Sequence, residues 1–126
     1  MINAVISFFE YLGTSVALLA LFVYIYARVT PYKEFSLIAH DNIAAAVTLG
    51  GAVLGFTIPM VAAIYYTRSL IEMIAWAAIT CIVQLAVLLA LRSQAERIEE
   101  GHVSSAVMVA TFSIAVGLLN AASIST

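Results

Sequence analysis

The sequence predicts an all-α membrane protein of four transmembrane helices, arranged as two tandem helical hairpins. Three observations carry that fold class. Hydrophobic residues make up 64% of the chain and charged residues only 10%, far from the roughly 45–50% and 25% of water-soluble domains. The charges are clustered, so Tyr11 to Ala27, Asn42 to Thr67, Met73 to Leu91 and Val103 to Thr126 contain no Asp, Glu, Lys or Arg. Each stretch reaches the roughly 17–25 residues a helix needs to cross the hydrocarbon, whereas a barrel strand needs about ten residues of alternating polarity. One transmembrane domain therefore covers residues 1–126, with helices expected near 4–28, 42–65, 70–92 and 103–125.

The first stretch reads as a retained helix. Met1 to Phe9 holds no Lys or Arg, and no small-residue cleavage site follows a short apolar core, so it does not resemble a secretory signal. Glu10 falls about one and a half turns into this helix, with Thr14 one turn deeper. A carboxylate at that depth is costly and so a functional suspect, although solvation at the interface also accounts for it.

The first connection opens Thr30-Pro31, read as a helix start in which Thr caps and Pro sits in the first turn. Phe35, Ile38 and Ala39 recur at helical spacing, so a short interfacial helix is expected before Asp41-Asn42. In the second helix, Gly51 and Gly55 form a G-x-x-x-G, and Pro59 removes the hydrogen bond its nitrogen would donate to the Gly55 carbonyl. Packing and a kink explain these residues; a freed carbonyl lining a cavity is the sharper reading.

The third helix carries Glu72, Trp76, Thr80 and Gln84 at four-residue steps, a polar ridge that drifts slowly around the helix. Gln84 lies in mid-membrane and needs a partner there, either another helix or a solute path. Asn120 in the outer third of the fourth helix, with Glu72 and Glu10, extends the candidate polar cluster. Cys81 is the lone cysteine and is read as a small packing residue. The stretch Ser93 to Glu100 is polar with good helix formers and is closed by Gly101, which suits a helix extension and its stop. In the fourth helix, Ser113, Gly117 and Ala121 repeat the small-residue spacing.

An offset of 60 residues aligns Asn42 to Val47 with His102 to Val107, and Gly51 and Gly55 with Thr111 and Ala115. The even helices therefore look like repeats, in units of about 1–65 and 66–126. With two helices per unit the repeat is parallel, which disfavours inverted-repeat transporter architecture. Arg28 and Lys33 flank the first connection, Arg92 and Arg97 the third, and Arg68 the second. That bias places the first and third connections in the cytoplasm and both termini in the periplasm.

Composition excludes several function classes. The thin net charge of -2 offers no nucleic-acid footprint and no polybasic lipid tail. His40, Asp41, Glu99, Glu100 and His102 fit no metal-ligand spacing. No nucleophile-base pair, phosphate loop or dinucleotide fingerprint is present, so neither enzyme activity, nor a cofactor, nor a metal is implied.

Tyr26-Ala27-Arg28-Val29-Thr30-Pro31-Tyr32-Lys33-Glu34, Asn42-Ile43-Ala44-Ala45, Gly55-Phe56-Thr57-Ile58-Pro59, Ala75-Trp76 with Val83-Gln84, and Leu119-Asn120-Ala121-Ala122 together resemble the YjfL-type family of small bacterial inner-membrane proteins, a domain of unknown function. The resemblance runs from the first helix to the last. It implies a compact four-helix protein of the bacterial inner membrane, encoded beside membrane-stress proteins, with a channel-like role proposed for it. Its motif positions fall here on Pro31, Glu34, Asn42, Gly55, Pro59, Trp76, Gln84 and Asn120, with Glu72 where an acid is usual and Glu10 outside the pattern. Three functions compete: a channel-like or stress-associated homo-oligomer, with stress-protein partners at the inner loops; a small proton-coupled exporter; and a purely structural or anchoring protein. The four-to-one bias of Lys and Arg speaks against the exporters that work in mixed orientation.

Overall fold

A computed structural model of the chain describes residues 2–30, 34–67 and 69–124. Pro31, Lys33 and Arg68, with the side chains of Glu34 and Phe35, lie outside the described residues. The fold is all helical: α1 (Ile2–Val29), α2 (Glu34–Ala39), α3 (Ile43–Thr67), α4 (Leu70–Ala90), a 3-10 turn (Arg92–Gln94), α5 (Ala95–Glu99) and α6 (Val103–Ile124). Among the described residues, α1, α3, α4 and α6 are long and apolar enough to cross a membrane. At 1.5 Å per residue, even the 21-residue α4 spans about 31 Å, the thickness of the hydrocarbon layer.

The bundle is centred on α3, which packs most extensively on α6 and then on α4. The approach to α6 is set by missing side chains. A Cβ on Gly55 would lie 2.5 Å from the Ser113 carbonyl oxygen, and one on Gly117 would lie 2.5 Å from the Gly55 oxygen. Gly51 meets Ala110 just as closely. Hydrogens occupy those directions, giving the Cα–H···O contacts common where helices touch. The small-residue ridges expected from sequence therefore meet each other inside the chain.

By contrast, α1 joins the bundle through one half. Its buried residues are Phe22 and Tyr26. The Phe22 ring stacks on Phe56 of α3 at 4.5 Å, and both belong to a core with Met60, Met73 and Ala77. A second core, of Ala44, Ala45, Ala95, Ile98, Ala106 and Val109, sits at the end of the bundle that carries α2 and α5.

The corners leading into α3 and α6 have the same backbone bonds. The Asn42 N–H reaches the Leu37 carbonyl and the His102 N–H the Arg97 carbonyl, each at 2.9 Å. The Asp41 and Gly101 N–H groups reach Ile38 and Ile98 at 3.0 and 2.9 Å. Both residues have positive φ, 63° for Asp41 and 92° for Gly101. This is the Schellman closure, with aspartate and glycine at the left-handed position.

One local expectation lies partly outside the described residues and another is corrected. The Thr30 hydroxyl donates back to the Tyr26 carbonyl at 2.7 Å and closes α1, while the expected helix start at Pro31 lies outside the described residues and α2 is described from Glu34. A threonine hydroxyl one turn past a helical carbonyl competes well for it. The stretch after α4 is not a straight extension, because the chain turns at Leu91 and passes through the 3-10 turn. That bend lays Ala95 and Ile98 on α3 and α6, with Ile98 only 2% exposed. Burying that isoleucine outweighs one more turn of exposed helix.

Candidate functional site

The polar groups of mid-membrane collect where α3, α4 and α6 meet, and Gln84 is their centre. Its side chain is 1% exposed, and its Nε2 donates to the carbonyl oxygens of Gly55 and Ser113, each at 3.1 Å. The amide orientation follows from its neighbours, because two carbonyls demand a donor. The Gly55 carbonyl is the acceptor that Pro59 orphans by lacking an N–H. One glutamine thus replaces, from α4, the hydrogen bond that α3 lacks. The glycine is required for this: a Cβ there would come within 2.7 Å of Nε2 and 2.8 Å of Oε1. Oε1 itself takes no hydrogen bond among the described residues.

One turn away, Asn120 Nδ2 of α6 donates to the buried Thr80 hydroxyl at 3.0 Å. Thr80 and Asn120 thus bond to each other across α4 and α6, one turn of α4 from Gln84. The rest of the ridge lies apart. Each four-residue step turns about 40° around a helix, so Glu72 and Gln84 point about 120° apart. The face of α4 that enters the core is Met73, Ala77, Thr80, Gln84 and Leu88; Trp76 is half-buried at its edge and Glu72 is exposed. Glu72 instead sits in the first turn of α4, where the Ser69 hydroxyl accepts its backbone N–H at 3.4 Å. Ser69-x-x-Glu72 is a capping-box spacing, a signal the ridge reading passed over. A carboxylate there also complements the positive end of the helix. Glu10 is exposed on α1 and does not join the cluster. Further along α1, the Ser15 hydroxyl bonds the Tyr11 carbonyl at 2.6 Å and meets the Met73 sulfur at 3.8 Å.

At the end carrying α2 and α5, Asn42 acts in two directions. Its Oδ1 accepts the Ala45 N–H at 3.0 Å and caps α3, while Nδ2 donates to the Glu99 carbonyl at 3.1 Å and the Ile98 carbonyl at 3.4 Å. Only an amide supplies an acceptor and donors at once. Arg97 Nε donates to the buried Ser105 hydroxyl at 2.7 Å, a contact between α5 and α6 that no motif announces. The polar residues of this end do not converge: His40 bonds the Ser36 carbonyl and His102 pairs with Glu100 at 3.4 Å.

The motif residues Asn42, Gly55, Pro59, Gln84 and Asn120 thus occupy the contacts that tie the helices together. The family model "Domain of Unknown Function (DUF350)" matches residues 1–124. The chain belongs to this family. Among DUF350-related proteins, it is 30% identical over 125 residues to the UPF0719 inner membrane protein YjfL of Escherichia coli strain K12, covering 96% of this chain and 95% of that protein. The O157:H7 counterpart matches equally. The UPF0719 transmembrane protein YshE of Bacillus subtilis is 32% identical over 74 residues, 59% of this chain and 55% of that protein. No solved structure matches. The chain is thus an all-helical member of the DUF350 family, with four described helices long and apolar enough to cross a membrane.

Proposed function

We propose that this protein is a non-enzymatic structural subunit of the bacterial inner membrane, in which α3, α4 and α6 form a rigid core and α1 is the docking helix for further copies of the chain. The observation that carries this reading is that the mid-membrane side-chain amide donors are taken up within the chain. Gln84 binds two backbone carbonyls and Asn120 binds Thr80, while Glu72 and Glu10 stay outside that cluster. A polar path through one chain is therefore not favoured. For the homo-oligomer, the support is α1, whose most apolar window is 6% buried against 50% for α3. The inner loops, tied together by Asn42, are the surface offered to membrane-stress partners. The test is ion flux in proteoliposomes: the expected result is no conductance above protein-free vesicles. Flux that disappears in a well-assembled Gln84→Leu variant overturns the reading.

One observation favours a second reading, conduction between copies. Glu10 is exposed on the flank of α1 inside a span, where lipid is a poor neighbour for a carboxylate. In that case flux depends on Glu10, and Glu10→Gln abolishes it while Gln84→Leu does not. Two further proposals complete the architecture. The hairpins 1–65 and 66–126 are parallel repeats, supported by the matching corners before α3 and α6. Both termini face the periplasm, supported by the Lys and Arg bias; reporters fused at the C-terminus that read as cytoplasmic contradict it.

A further inference from the structure

At the end of the bundle carrying α5 lies an apolar cavity of about 160 Å³. Its walls are Val29 of α1, Leu88 of α4, Ala95 and Ile98 of α5 and Val109 of α6, and among the described residues Arg92 is the one charged residue in its lining. Arg92 follows the last turn of α4, so it stands at the level where the membrane gives way to its headgroups. The three described arginines of this end differ in a telling way. Arg28 lies over the Tyr24 ring at 5.2 Å and Arg97 bonds Ser105, whereas the exposed Arg92 side chain makes neither an ion pair nor a hydrogen bond among the described residues.

From this pairing of an apolar chamber with a guanidinium that has no ion pair or hydrogen bond among the described residues, we propose that the cavity is a binding site for one phospholipid with an anionic headgroup. Apolar chambers of about this volume stay dry and take small hydrocarbon ligands. This one holds the first few methylenes of an acyl chain, while the guanidinium holds the phosphate in a forked, charge-assisted contact. The two parts of one lining ask for different chemistry, and an amphiphile supplies both. Neither a free phosphate nor a plain alkyl chain does so. A basic residue near anionic lipid also gains from the negative surface potential of the inner leaflet. The inference does not depend on the structural or conducting role of the protein.

The test uses the whole protein in mild detergent with native mass spectrometry. The added probes are phosphatidylglycerol, phosphatidylcholine, monoolein and soluble glycerol phosphate. The expected result is one retained phosphatidylglycerol, held more tightly than phosphatidylcholine. Arg92→Gln weakens it by about five-fold, and Arg28→Gln leaves it unchanged. Arg92 is exposed, so its substitution leaves the fold in place. Leu88→Trp, which fills the chamber and keeps the charge, also lowers retention. Four results overturn the proposal: equal loss in the two arginine variants, monoolein retained as well as phosphatidylglycerol, glycerol phosphate displacing the lipid, or a dimer that Arg92→Gln dissociates in the absence of lipid.

Discussion

Helices α3 and α1 are both apolar, both long enough to span a bilayer, and adjacent, yet they are held by opposite means. Half of the most apolar window of α3 is buried within the chain, against 6% of that of α1. The difference lies in residue size. Along α3, Gly51 and Gly55 let the α6 backbone come into contact, and the Gly55 carbonyl becomes reachable for Gln84. Along α1, large side chains such as Ile6, Phe9, Leu12 and Val16 stay exposed, and Phe22 and Tyr26 provide its buried attachment. Lipid tails are as apolar as leucine, so hydrophobicity alone does not bring helices together in a membrane. Close approach and polar contacts do, and within the chain the first half of α1 has little of either, its Ser15 hydroxyl meeting the Met73 sulfur at 3.8 Å.

If that contrast is right, the largest effect comes from adding volume between α3 and α6. Gly55→Leu drives a side chain into the Ser113 carbonyl and the Gln84 amide, and is expected to cost roughly 3 kcal/mol or more. Denaturant unfolding in detergent measures it, and a fully stable variant breaks the comparison. Next comes Phe22→Ala, which removes the ring stacked on Phe56. About 2 kcal/mol is expected, less than the same change costs in a water-soluble core, since lipid replaces the lost apolar contact. Hydrogen exchange is expected to rise along α1 while α3 and α6 remain protected.

How much of this was legible in the sequence depends on the distance over which each signal acts. The four spans were read within a few residues, because hydrocarbon thickness and charge-free length are properties of the chain itself. Gly51, Gly55, Pro59 and Gln84 were also legible as types: small residues approach closely, a proline orphans a carbonyl, and a mid-membrane amide needs a partner. That Gln84 answers Pro59 was not legible, since the two lie on different helices and the match depends on their relative height. The ridge from Glu72 to Gln84 failed for a local reason. Four-residue spacing drifts off a core face, and Met73 and Ala77 took the inner positions instead. Asn42 was marked only as a motif residue; its bonds to Ile98 and Glu99 depend on the bend after Leu91, which burial of Ile98 decides.

Asn42 gives a smaller effect that sharpens the comparison at the loop end. Asn42→Asp keeps the cap on α3 but loses both donors, so it is expected to cost about 1 kcal/mol. Asn42→Ala loses the cap as well and costs more. Equal costs for the two variants would place the whole contribution in the donors. Smallest of all, Leu12→Ala on exposed α1 is expected to change stability by less than about 0.5 kcal/mol in detergent.

The central claim is that the polar core exists to hold helices together, with Gln84 supplying the hydrogen bond that Pro59 removes. A double-mutant cycle between Pro59→Ala and Gln84→Leu tests it most directly. In the parent, Gln84→Leu is expected to cost about 0.6 to 2 kcal/mol. In the Pro59→Ala background the new backbone N–H takes the Gly55 carbonyl, and the same substitution is expected to cost clearly less, with a coupling above the roughly 0.5 kcal/mol of independent sites. Strictly additive costs would contradict the account.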